Sequence, residues 1–340
     1  MESLKVVACV DAEGPVEETP EVRASLISKP CFGSWAEIEG DLALFNAHRH
    51  SFHDSEGAPA KLSWFIADNV GWVDNPRRRA TGFGAVWDRI MNHVQPQDSV
   101  GWHHHALPPS RRALDSSTTW TYGLPLAEEV LCRRLLKYGW FPSTFRAGGA
   151  IMRPDLSAWL DMFIPIDYTW HPPVGGPGEA MDWRDPTAYT DWADGARRLV
   201  RTCELRSTTY RMGEKDIEFA WEMGMPLAFA IHDRRSVYDD ITYARGLIQD
   251  VLGDRPWRWA NAVEAAEGPV APVKWEITQQ KGVYYFTADQ PIFGQPFLAV
   301  VHRGVYWRDC PTQEGVRRWA YNYRYHAPLG SVKIHAWPRL

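Results

Sequence analysis

Three consecutive histidines, His103, His104 and His105, follow the short run Val100-Gly101-Trp102. Imidazole moves protons near neutral pH and binds divalent metals. Alternate residues of a strand face the same side. A strand ending here would therefore send His103 and His105 one way and His104 the other. Two imidazoles on one side hold a divalent metal when a carboxylate joins them. Asp11 and Glu13 offer carboxylates in Val10-Asp11-Ala12-Glu13-Gly14, after the apolar run of residues 4–10. Gly14-Pro15 would end that run and leave both acids at its tip. A cation follows in Phe145-Arg146-Ala147-Gly148-Gly149, and a further histidine in Ile231-His232-Asp233. Each group also has a plain reading: a polar loop, a solvated turn, a structural ion pair, a satisfied strand-end histidine. A second cluster, His48, His50 and His53, closes a predicted helix. There only His50 and His53 could share a ligand, and a solvated helix end is the simpler reading.

The elements that must position these groups alternate along the chain. Strand patterns occupy residues 4–10, 61–67 and 98–103, a short stretch after Pro142, then 164–171, 199–206 and 226–231. Helical patterns occupy 36–53, 83–94, 125–138, 154–163, 213–223 and 239–253. Seven such repeats predict a parallel α/β barrel-like domain over residues 1–268. In such folds the ligand site lies at the C-terminal ends of the strands. The acids, the histidines, Arg146 and His232 all fall at those ends. After Gly268-Pro269 the pattern changes to short alternating runs parted by glycine and proline. Residues 269–340 thus read as a small antiparallel β-sandwich domain. It could bind sugar, cover the site or pair chains into a homo-oligomer.

The composition is that of an ordinary soluble protein, 45% hydrophobic and 23% charged over 340 residues. A net charge of -5 gives no reason to expect nucleic acid or an anionic membrane as partner. No apolar run approaches the roughly 18 residues of a membrane span. The N-terminus lacks the pattern of a signal peptide, which predicts a cytoplasmic protein. The five cysteines are scattered without a CxxC pair, as reduced thiols would be. Eighteen tryptophans are unusual. Most should fill the core, but Trp72, Trp102 and Trp170 fall in or beside predicted loops and could stack on a sugar. The basic loop 76–82 could meet an anionic group, though a solvated surface is the simpler reading, and the long loop 106–124 has a length that often goes with function, with a further long loop over 172–195.

The ordered set Val10-Asp11-Ala12-Glu13-Gly14, Gly101-Trp102-His103-His104-His105, Phe145-Arg146-Ala147-Gly148-Gly149, Ile166-Asp167-Tyr168-Thr169 and Ile231-His232-Asp233 resembles the polysaccharide deacetylase superfamily (NodB homology, carbohydrate esterase family 4) over about residues 4–260. The resemblance implies a distorted (β/α)7 barrel and a hydrolase that removes N-acetyl groups from sugars. It also implies a divalent metal, most often Zn2+, with Co2+, Ni2+ or Mn2+ as alternatives. Asp11 resembles the general base and Glu13 the metal carboxylate, roles that could be exchanged. His103 and His105 resemble a His-x-His ligand pair, with His104 an alternative ligand. Arg146 resembles the arginine that orients the base, and His232 the general acid. Asp167 matches an aspartate that supports the acid or the substrate. The first two motifs depart from the family pattern, which has adjacent aspartates and histidines four residues apart. The expected substrate is a small glycoside or glycoconjugate. The alternatives are hydrolysis of another C–N bond, as in cyclic amides or ureides, and a carbohydrate-binding protein without catalysis.

Overall fold

A computed structural model describes residues 3–15, 32–67, 84–104, 124–148, 154–169, 197–205, 211–323 and 331–339. The candidates His105, Trp72 and Trp170 and the basic loop 76–82 lie outside these residues. The parallel strands are β1 (Leu4–Ala12), β2 (Leu62–Ala67), β3 (Ser99–His104), β4 (Thr144–Ala147), β5 (Ile166–Asp167), β6 (Arg198–Leu199), β7 (Thr202–Glu204) and β8 (Leu227–His232). They form one sheet in the order β6-β5-β4-β3-β2-β1-β8-β7. A short β9 (Trp257–Trp259) pairs with the first residues of β1. The two ends of the path adjoin in sequence. Leu199 pairs with Asp167 of β5, and Thr202, only three residues later, pairs with Ala228 of β8. One irregular stretch therefore joins both edges and closes a ring of seven staves. This is the α/β barrel-like architecture expected, with the sixth strand broken in two.

The helices between the strands are α1 (Trp35–His48), α2 (Ala85–Ile90), α3 (Leu124–Tyr138), α4 (Pro154–Phe163), α5 (Glu214–Met223), α6 (Val237–Leu252) and α7 (Ala262–Ala265). Ser34 caps α1 by accepting from Glu37 N, and Ser236 caps α6 by accepting from Asp239 N. Alternation sorts the strand side chains. Val6, Ala8 and Val10 pack outward against the helices in one large apolar cluster. Val7, Cys9, Phe65, Ala228 and Ala230 face the lumen in a small one. Gly101 also faces inward, where a Cβ would collide with Thr144 and Phe65. The lumen is thus packed solid below the level of Asp11 and His103. Trp64, Trp102, Trp257 and Trp259 are fully buried, so among the described residues these tryptophans serve the core. Among the described residues no helix is long and apolar enough to cross a membrane.

The C-terminal part is antiparallel. One sheet has the order β10 (Trp275–Gln280), β11 (Val283–Ala288), β15 (Arg318–Asn322), β14 (Thr312–Gly315). The other has β13 (Val305–Asp309), β12 (Phe297–His302), β16 (Val332–His335). Tyr284, Phe286, Leu298, Val300, Tyr321 and Ile334 fill the space between them, as in a sandwich. The sandwich is not loosely tethered. Phe297 and Ala299 belong to the same apolar cluster as Phe141, Phe145 and Trp159 of the barrel side. Trp337 Nε1 donates to Pro142 O (2.8 Å) and Lys333 Nζ to Leu136 O (3.0 Å).

Candidate active site

The C-terminal ends of β1, β3, β4, β7 and β8 send a set of ionisable side chains into the mouth of the barrel. Odd residues of β1 face inward, so Asp11 follows Val7 and Cys9 into the lumen. His103 and Arg146 occupy the same level on β3 and β4, where they are register partners. Arg146 Nη1 donates to Asp11 Oδ2 (2.6 Å), and Arg146 Nη2 donates to Glu204 Oε1. His103 Nδ1 lies 2.9 Å from Arg146 O, and its Nε2 lies 3.2 Å from Glu13 Oε1. The carbonyl and the carboxylate can only accept, so Nδ1 donates to Arg146 O and, in the charged ring, Nε2 donates to Glu13 Oε1. Arg234 Nη1 donates to the other oxygen, Glu13 Oε2. His232 Nε2 stands 3.9 Å from Asp11 Oδ2.

The turn that carries Glu13 is anchored from β8. Asp233 accepts from Glu13 N (3.0 Å) and from Gly14 N (2.9 Å). Gly14 holds φ +78°, and a Cβ there would meet Trp35 at 2.8 Å, so glycine suits the turn on both counts. Burial pushes the Asp11 carboxyl above its ordinary range, and the Arg146 guanidinium pulls the other way. Burial opposes charging of His103, but the Asp11 and Glu13 carboxylates outweigh it and raise its pKa. His232 moves in the opposite direction. Burial, reinforced by Arg234, holds its pKa well below the usual imidazole value. At neutral pH His232 is therefore a neutral imidazole rather than a charged acid.

Asp11, Glu13, His103, Arg146 and His232 are thus brought together, as their types and order suggested. Asp167 is not. It points outward from β5 toward α4, where Oδ1 accepts from Thr169 N (2.8 Å) and Oδ2 pairs with Arg197 Nε (3.2 Å). Arg197 in turn donates to Ser157 O at 2.6 Å. The aspartate is part of a buried structural ion pair. Trp102 is corrected in the same way. As the residue between Gly101 and His103 it faces outward, with its ring 5.2 Å from Phe145 and 5.8 Å from Trp159. It packs the core and offers no face to a ligand. His104 shares that outer face, 5.2 Å from the Trp102 ring, which removes it from the mouth. His50 and His53 are exposed and sit beyond α1, near the opposite end of the strands.

Three residues of the mouth have no role assigned from the sequence: Glu204, Arg234 and Asp233, the last of which stands there only as the neighbour of His232. Alternation from Thr202 could have pointed to Glu204, since it ends a strand pattern on the lumen side. Nothing local marks Asp233 or Arg234, whose partners are about 220 residues away in sequence.

His103 Nε2 and Glu13 Oε1 are an imidazole nitrogen and a carboxylate oxygen, donors of the type that a divalent ion takes. Tetrahedral ligands at about 2.0–2.1 Å from zinc stand roughly 3.3 Å apart, close to the 3.2 Å between His103 Nε2 and Glu13 Oε1. The hydrogen bond from Nδ1 to the Arg146 carbonyl is the outer support that metal-binding histidines commonly have. Among the described residues no group of three His, Cys, Asp or Glu side chains forms a complete metal cluster. Glu13 and His103 could supply two ligands.

No family model matches the chain. No curated protein matches it either. Two solved structures similar to it are an α-fucosidase of Thermotoga maritima in complex with a mechanism-based inhibitor and a double mutant of the endo-β-1,4-mannanase of Cellulomonas fimi. The first is 10% identical with a TM-score of 0.31, over 98% of this chain and 95% of that one. The second is 10% identical with a TM-score of 0.26, over 88% of this chain and 68% of that one. Both scores are too low for either likeness to bear on fold or activity.

Proposed function

We propose that the protein is a metal-dependent hydrolase that removes an N-acyl group, acetyl foremost, from an amino-sugar-containing substrate. The observation that carries the reading is the convergence of Asp11, Glu13, His103, Arg146 and His232 at one barrel mouth. The choice of an amino sugar comes from the order of the motifs in the chain. Glu13 and His103 would hold the metal, and His105, outside the described residues, is the third ligand expected from the sequence motif. A divalent ion bound there would polarise the acyl carbonyl and lower the pKa of a bound water.

The chain's own groups then divide the proton work. Asp11 accepts the proton of the attacking water. Its raised pKa suits it to that task better than an ordinary carboxylate, because a base is most effective near the working pH. Arg146 holds Asp11 Oδ2, which fixes the direction of Oδ1. His232 protonates the leaving amine nitrogen. Since it is neutral in the resting site, it does so only after receiving a proton, and the proton released from water is the one at hand. Its depressed pKa then makes it a strong donor. The C-terminal sandwich, residues 269–340, is read as an accessory domain.

The test is acetate release from a panel of N-acetylhexosamines and their glycosides by protein reconstituted with Zn2+, Co2+, Ni2+ or Mn2+. Release that depends on metal is expected. No release from any member of the panel, with metal bound, would overturn the reading.

A further inference from the structure

We propose that Glu204 is a positioning residue that restricts Arg146 to a single contact with Asp11 and so keeps the second oxygen of the base open. The inference rests on the proposed role of Asp11 as base. Guanidinium and carboxylate prefer to meet through two parallel N–H···O bonds. Arg146 does not do this. It gives Nη1 to Asp11 Oδ2 at 2.6 Å and Nη2 to Glu204 Oε1. Asp11 Oδ1 accepts no hydrogen bond among the described residues, although His103 Nδ1 lies 3.6 Å away. That oxygen is the one with a lone pair to offer a water.

The strand order explains how the fork is kept apart. Arg146 rises from β4, on the far side of the ring from β1 and β8. Asp11 and Glu204 come from β1 and β7, which flank β8. The guanidinium therefore bridges the mouth and meets two carboxylates side by side. Arg146 is 1% exposed, and a buried charged donor without an acceptor is costly. Without the Glu204 carboxylate, Nη2 would have to find another acceptor, and the open oxygen beside it is Asp11 Oδ1. The arginine would then close its fork on the base and occupy both oxygens.

Two substitutions in the full chain separate this role from a merely structural one. Glu204→Met keeps length but offers no acceptor, whereas Glu204→Gln keeps an acceptor oxygen without charge. We expect Glu204→Met to lower kcat about 100-fold or more while KM moves less than about twofold. Glu204→Gln should retain most of the wild-type kcat. A crystal structure of the metal-loaded Glu204→Met protein should show Arg146 forked on both Asp11 oxygens. Where Glu204→Met does not fold, Glu204→Asp, too short to reach Nη2, should show the same fork and the same loss. Wild-type kcat in a folded Met or Asp variant, or an Arg146 that still meets only Oδ2, would overturn the proposal. Should the wild type hydrolyse no N-acyl sugar, the proposed function fails, and the crystal structure alone still decides the fork.

Discussion

His103 and His335 are both almost fully buried, 1% and 6% exposed, yet they live in opposite surroundings. His103 stands in the barrel mouth between the carboxylates of Asp11 and Glu13, which raise its pKa against the cost of burial. His335 lies on the seam between barrel and sandwich. Its ring is 4.8 Å from Phe141 and 4.7 Å from Trp337, and Nε2 has no hydrogen-bond partner among the described residues. Burial alone pushes its pKa down to about 3. Burial does not by itself mark a functional histidine. The charges that share the burial decide which way the pKa moves, because opposing charge favours the protonated ring. The mouth sets its buried histidine among charged groups, whereas the seam sets His335 among aromatic rings.

The comparison predicts different failures in the two regions. The largest effect belongs to the mouth. Asp11→Asn removes the proton acceptor and should lower kcat of the folded protein by about 10²- to 10⁴-fold, measured by acetate release. An unchanged kcat would take Asp11 out of the chemistry. At the seam the loss should appear in stability instead. Phe297, 1% exposed, lies 4.6 Å from Phe141 and 5.4 Å from Phe163, ring to ring. Phe297→Ala should cost about 3–5 kcal/mol in denaturant unfolding and leave kcat/KM of the folded protein within about twofold.

His335 gives a smaller effect with a definite sign. Its folded pKa of about 3 lies below the ordinary 6.5, so the unfolded chain takes up the proton first as pH falls. The stability held by the neutral ring is complete above pH 6.5 and is lost progressively from there toward pH 3. His335→Phe should flatten that acid limb by up to about 1.4 kcal/mol per pH unit. An identical pH dependence in the variant would show that the ring is solvated in the folded state. The smallest effect on activity belongs to Asp167. Asp167→Asn should leave kcat/KM within about twofold and lower stability, because Arg197 loses one of its two charged partners, the other being Asp161. A large loss of kcat would return Asp167 to the active site.

The sequence made the mouth partly legible for a simple reason. Asp11, His103, Arg146 and His232 each end a strand, and strand ends can be read from apolar runs and the breakers after them. Alternation decides more. Counting faces from Gly101 separates His103 from Trp102 and His104, and counting from Ile166 sends Asp167 outward. Both deductions need the lumen-facing residue to be known, and that is a property of the closed ring. The sixth strand was expected as one run over 199–206. It is broken after Leu199 because its two halves pair with different neighbours, a demand set by ring closure. Asp233 and Arg234 act on residues far away in sequence, so no local pattern gives them a role, whereas alternation along its strand could have pointed to Glu204. The shared apolar cluster of Phe297 with Phe141 and Trp159 was likewise hidden by the change of texture after Gly268.

The most direct test of the mouth as the functional centre compares two neighbours on one strand. Metal content per chain is measured by elemental mass spectrometry after reconstitution of untagged wild type, His103→Ala and His104→Ala. His103 faces Glu13 in the lumen, and His104 packs beside Trp102 on the outer face. About one divalent ion per chain is expected in the wild type and in His104→Ala, with loss in His103→Ala. No ion in the wild type, or equal retention in His103→Ala, would contradict the assignment of Glu13 and His103 as metal ligands.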